Sequence, residues 1–317
     1  MIYIWLMLGL FLLAWGGDVM VNGSVALAKR LGVSSLLIGL TLVGFGTSTP
    51  ELLTSLIAVY KGSEGIAVGN VVGSNIANIL LVLGMAAFIV PVKIDVKAFK
   101  RDGAFLAIAT LALIVALVIG KINFFMGAVL TAMLIFYVAY SYYSDKKEQK
   151  RQKAKEIQTQ KNETKTPLLW SLVKAVGGIA LTILGAKLLV DNSIILARDW
   201  GVSEAVIGLT IVAVGTSLPE LATSVASSFR GQSAVAFGNV VGSNIYNALF
   251  ILGVTALFMP VIVPQSMTPD VVLMTLVTAV LIGVAFWKKQ FSRRIGFAFL
   301  CAYAGYTYYL YTLPKVS

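Results

Sequence analysis

The sequence predicts an all-α polytopic membrane protein of ten transmembrane helices, arranged as two inverted five-helix repeats whose broken helices carry an ion site. Three observations lead there. First, 58% of the residues are hydrophobic and only 12% charged, whereas the charged share of a soluble domain is roughly a quarter. Second, the polar segment Gly46-Thr47-Ser48-Thr49-Pro50-Glu51 recurs as Gly215-Thr216-Ser217-Leu218-Pro219-Glu220, an offset of 215 − 46 = 169 residues. Third, the same offset carries Gly69-Asn70-Val71-Val72-Gly73-Ser74-Asn75-Ile76-Ala77-Asn78 onto Gly238-Asn239-Val240-Val241-Gly242-Ser243-Asn244-Ile245-Tyr246-Asn247, so the whole chain is a duplication.

A spanning helix needs about 20 apolar residues. Such runs are read at 2–27, 34–59, 66–90, 103–120 and 124–143, and again at 168–190, 203–228, 234–260, 270–287 and 294–313. The first run lacks a basic leader region and is long, so it reads as an uncleaved span. Residues 1–144 form the first repeat, 145–166 a basic linker without an apolar face, and 167–317 the second repeat. An odd number of spans in each repeat turns the halves in opposite directions.

The net charge of +11 points to topology rather than to nucleic acid. Lys and Arg collect in alternate loops, and 20 of the 25 fall on the side of the 145–166 linker. That is the positive-inside pattern, with a cytoplasmic linker and both termini outside a cell (inner) membrane. Cys301 is the only cysteine and there is no histidine, which excludes thiolate metal sites, disulfides, and histidine-based catalysis or proton relays. No enzymatic activity and no cofactor are expected.

Ser48-Thr49-Pro50-Glu51 has the form of a helix capping box. Its place inside an apolar run, twice over, adds a second meaning: a charge at mid-bilayer costs about 2.5 kcal/mol or more. Each helix is expected to break at the motif, with its second half capped by Ser48 or Ser217. Pro50 and Pro219 free the carbonyls of Gly46 and Gly215. Together with the carboxylates of Glu51 and Glu220 and the hydroxyls of Thr47, Ser48, Thr216 and Ser217, the donors are all hard oxygen. Such donors suit Ca²⁺ and Na⁺. In the partner motif, Ser74 and Asn78, and likewise Ser243 and Asn247, lie four apart on one helical face and are ligand candidates. Asn70, Asn75, Asn239 and Asn244 fit either interhelical hydrogen bonding or cation binding.

The duplicated Gly-Thr-Ser-x-Pro-Glu and Gly-Asn-x-x-Gly-Ser-x-x-x-Asn motifs resemble the α-repeats of the sodium/calcium exchanger family, in its short prokaryotic form, within the calcium/cation antiporter superfamily. The resemblance implies cation sites clustered at mid-membrane, with calcium held by Glu51, Glu220, Thr47 and Thr216. It implies sodium sites at Ser48, Ser217, Ser74, Ser243 and the carbonyls of Gly44 and Ala213. Some relatives carry Asp at the position of Asn247; this chain has Asn in both repeats, at 78 and 247, which disfavours potassium co-transport. The expected activity is Na⁺/Ca²⁺ antiport by alternating access, with an H⁺/Ca²⁺ or K⁺-dependent antiporter as the alternative. Other readings are a cation channel, which usually assembles rings from several subunits, and an intramembrane hydrolase with Ser48 or Ser217 as nucleophile. A chain that supplies both halves of its site is expected to act as a monomer in the lipid bilayer. Asp18 and Lys187, equivalent under the offset, are expected in interfacial or paired roles, Lys187 pairing with Asp191. The tyrosines from Tyr303 to Tyr311 read as an aromatic belt.

Overall fold

A computed structural model describes residues 2–62, 64–155, 167–199, 213–264 and 267–312. Its helices are α1 (Ile2–Leu31), α2 (Ser35–Thr47), α3 (Thr49–Tyr60), α4 (Glu64–Ile89), α5 (Val96–Ile119), α6 (Phe124–Lys155), α7 (Leu168–Asp199), α8 (Ala213–Thr216), α9 (Leu218–Phe229), α10 (Ser233–Phe258), α11 (Thr268–Lys288) and α12 (Arg293–Thr312). Among the described residues, seven helices are long and apolar enough to cross a membrane, or eight when α2 and α3, bent by 41°, count as one broken span. The molecule is therefore a nearly all-helical, multi-pass membrane protein. The expected span at 203–228 lies partly outside the described residues. The run at 294–313 forms α12, but Arg293, Arg294 and its tyrosines keep it from passing as apolar enough.

Helix ends depart from the apolar runs where local chemistry extends them. Asp95 accepts the backbone N–H groups of Lys97 and Ala98, so α5 starts at Val96 rather than near 103. Helix α6 continues through Lys155, well into the stretch expected as linker. Lys, Glu, Gln and Ala are good helix formers without any apolar face. The rest of that stretch, 156–166, lies outside the described residues.

The two halves exchange short strands. Val92–Lys93 (β1) pairs antiparallel with Gln290–Phe291 (β4), and Lys121–Ile122 (β2) with Val261–Ile262 (β3). The register is reciprocal: Val92 faces Phe291, and adding 169 to 92 and subtracting it from 291 gives Val261 and Ile122, which also face each other. Helices α1 and α7 cross just as closely. A Cβ at Gly16 would lie 2.7 Å from the Thr182 amide nitrogen, and one at Gly185, its equivalent, 2.7 Å from that of Leu13. As α1 contacts proceed from Gly9 through Gly16 to Gly23, their α7 partners recede from Gly185 through Gly178 to Ala175, so the helices run antiparallel. Small residues are what permit such close approach in a membrane.

Helices α4 and α10 form the centre, with Val68, Val71, Val72, Ile76, Val240, Val241 and Ile245 fully or almost fully buried. Helices α1, α6 and α7 instead expose large apolar side chains on one side, Phe11, Phe136 and Leu169 among them, as lipid requires. Off this centre, Asp102 is buried and held by Arg101 through Nε to Oδ1 (2.8 Å) and Nη2 to Oδ2 (3.0 Å). Arg101 Nη1 also donates to the Ser141 carbonyl, and the Tyr137 hydroxyl to Asp102. Asp102→Ala leaves that guanidinium without its carboxylate and is expected to cost about 3–5 kcal/mol. A lowered midpoint of thermal unfolding in detergent is the measurement.

Candidate cation site

The break between α2 and α3 places Ser48 at the junction with φ −83° and ψ 4°, Pro50 in the first turn of α3 and Glu51 just after it. The second copy repeats this between α8 and α9, with Ser217 at φ −89° and ψ 5°. Neither serine caps its helix with its side chain, which corrects the capping-box expectation. The Ser48 hydroxyl instead donates to Glu220 Oε1 at 3.4 Å, across to the other half, while Ser217 Oγ has no partner among the described residues.

Glu51 and Glu220 are both 1% exposed, and Oε2 of each is buried without a hydrogen-bond donor among the described residues. A buried, unpaired carboxylate oxygen is expensive to maintain. A cation is one kind of partner that would satisfy both. Thr47 is fully buried; its hydroxyl lies 3.3 Å from Asn239 Oδ1, 3.5 Å from Ser243 Oγ and 3.4 Å from the Gly44 carbonyl. That carbonyl also accepts the Ser48 N–H, so it is not bare, although a carbonyl keeps a second lone pair.

Asn78 and Asn247 are buried, and Asn78 Oδ1 and both polar atoms of Asn247 lack partners. Each opens a π-helical segment, Asn78–Leu83 and Asn247–Ile251, and Gly39–Val43 of α2 is another. Such wide turns are rare and frequent at functional sites. They shift the register of the polar face just where Ser74 and Asn78, or Ser243 and Asn247, address the breaks. Ser74 is almost buried and lines a cavity together with Thr216. Ala213 opens α8, but its side chain lies outside the described residues.

The open question over the four remaining asparagines is largely resolved toward structure. Asn70 Nδ2 donates to the Glu51 carbonyl and to Ser55 Oγ, both at 2.9 Å. Its equivalent Asn239 does the same to the Glu220 carbonyl (3.2 Å) and Ser224 Oγ (2.9 Å). These bonds tie α4 to α3 and α10 to α9 beside each glutamate. Asn75 donates to Met274 Sδ at 3.6 Å, and no partner is found for Asn244 among the described residues. The repeated Glu-to-Asn spacing was visible in the sequence; the serine partners Ser55 and Ser224 were not singled out.

Two further expectations change. Asp18 pairs with Arg230, which also bonds Asn22, whereas no ion pair joins Lys187 to Asp191 among the described residues. Tyr306 does more than mark an interface, because its hydroxyl donates to Asp270 at 2.7 Å.

Among the described residues no three acidic, histidine or cysteine side chains converge, so neutral oxygens must complete any cation shell. Comparison with known proteins bears on the fold and the family. The chain is 35% identical to the putative antiporter CaxA of Alkalimonas amylolytica over 98% of each chain. It is 32% identical to the sodium/calcium exchanger MaX1 of Methanosarcina acetivorans, over 96% of this chain and 98% of that one. The solved sodium-calcium exchanger NCX_Mj superimposes with a TM-score of 0.83 at 31% identity, covering 99% of both chains. The model of the sodium/calcium exchanger protein family matches residues 1–143 and 170–312, and the chain belongs to that family.

Proposed function

We propose that the chain is a secondary-active antiporter that exchanges Na⁺ for Ca²⁺ across the cell membrane, by alternating access to one set of oxygen-lined sites. The carrying observation is the pair of buried carboxylates, Glu51 and Glu220, each with an unpartnered oxygen and linked across the halves by Ser48. Two carboxylates balance one Ca²⁺. Ser48, Ser217, Ser74, Ser243, Asn78, Asn247 and the carbonyls of Gly44 and Ala213 complete the shells, with Thr47 and Thr216 beside the glutamates. Sodium uses oxygens shared with calcium, and that competition is what couples the two fluxes.

In this reading two inverted halves of five helices, ten spans in all, carry the alternating access. Reciprocal pairing of β1 with β4 and β2 with β3, and of Gly16 and Gly185 with equivalent backbone positions, supports that reading. The division at 1–144, 145–166 and 167–317 follows from it. Basic residues put the linker inside and both termini outside. The contrast between the two copies of the site, among the described residues, also supports that reading. Thr216 and Ser74 line a cavity of about 390 Å³, while their equivalents Ser243 and Thr47 are fully buried against each other. The monomer, in its bilayer, contains the whole site.

The test is uptake of radiolabelled calcium by proteoliposomes under an outward gradient of Na⁺, K⁺ or H⁺, applied singly. Uptake driven by Na⁺ alone is expected. Equal uptake under all three gradients, or under H⁺ alone, overturns the sodium assignment.

A further inference from the structure

The cavity that reaches Ser74 and Thr216 is walled by α4, α11 and α12. Among its described lining residues one is charged: Asp270, in the first turn of α11. Beside it stand Thr54, Asn70 and Thr307 together with the apolar Ile66, Val72 and Leu310, and no basic side chain is among those lining residues. Asp270 is half-buried, and Tyr306 fixes Oδ1 through its 2.7 Å bond. The carboxylate therefore stands in the route to the site with a net charge that no lining cation cancels.

The first half handles the same place differently. Subtracting 169 from 270 gives Arg101, and subtracting it from 306 gives Tyr137. The Tyr137 hydroxyl again meets an acid, Asp102, but that acid is fully buried and bound through both oxygens to Arg101. One half thus spends its carboxylate on an internal ion pair. The other leaves it facing the cavity. An acid in the first turn of a helix also favours the helix dipole, but a dipole role gives no reason for the tyrosine bond or for the cavity.

We propose that Asp270 is a specificity-determining residue that gathers cations into this cavity, divalent before monovalent, and gives the exchanger unequal calcium affinities on its two faces. The inference rests on the cation-exchange reading above. A single negative charge raises the local concentration of an ion by a Boltzmann factor that is squared when the ion's charge doubles. Calcium therefore gains by the square of sodium's gain.

The experiment is exchange of radiolabelled for unlabelled calcium in membrane vesicles of both orientations, which needs no counter-ion and so works whichever ion drives transport. Asp270→Asn is expected to raise the calcium KM about four- to tenfold on the face where this cavity opens. On the other face the KM stays unchanged, and the maximal rate holds on both. Sodium inhibition on the same face should weaken by about the square root of the calcium effect, inert salt should shrink both effects, and Asp270→Glu should restore the wild-type KM. An unchanged KM on both faces overturns the proposal, as does a loss of maximal rate on both faces with KM intact. Failure of sodium-driven uptake with this sided KM shift retained would instead overturn only the choice of sodium.

Discussion

Glu51→Gln or Glu220→Gln is expected to abolish calcium exchange while leaving the protein folded. Each change keeps the size of the side chain, and at position 220 the amide oxygen still accepts from the Ser48 hydroxyl, 3.4 Å away in the native protein. What is lost is one of two charges facing Ca²⁺. Removing one member of a buried, closely matched charge set costs about 2–5 kcal/mol, or roughly 30- to several-thousand-fold in affinity. Ion-free variants should be no less stable than the native protein, and the clearest sign lies in the thermal response: calcium is expected to raise the unfolding midpoint of the native protein by mass action, and that rise should vanish. Wild-type calcium KM in either variant would sink the assignment.

Gly185→Val is expected to disrupt the packing of α1 against α7. An added Cβ meets the Leu13 amide nitrogen at 2.7 Å and the Gly9 carbonyl at 2.8 Å, both backbone atoms that no rotamer change moves aside. Overpacking of this sort costs about 1–3 kcal/mol and more when backbone must shift. The α1–α7 crossing would open, lowering the unfolding midpoint and the transport rate together. Gly177→Val is the control, because nothing lies within 4 Å of a Cβ built there. Equal midpoints for the two variants would show that the crossing does not depend on glycine.

The duplication made most of the fold legible. Polar residues that recur at a fixed offset inside apolar runs have few explanations, and Pro50 and Pro219 marked the breaks directly. Apolar length, however, records where lipid lies and not where a helix ends. Helix α6 runs on through charged residues to Lys155, and α5 begins early at the Asp95 cap. The acids of the site were legible because nothing else in the chain justifies their burial. Long-range polar partners were not. Arg101 beside Asp102 looks like a solvated pair, and only the fold brings Tyr137 and the Ser141 carbonyl to it. Asp270 likewise reads as a first-turn acid until Tyr306 and the cavity appear beside it. The π-helical turns at Asn78 and Asn247 leave no mark in residue periodicity.

The exchanged strands carry a consequence for cohesion. Each ribbon takes one strand from each half, β1 with β4 and β2 with β3, so both are sutures rather than hairpins. Pulling the halves apart means unzipping both ribbons as well as parting α1 from α7. In topological terms the molecule is a self-complementary pair of parts written on a single message, each holding the other by mutual grip.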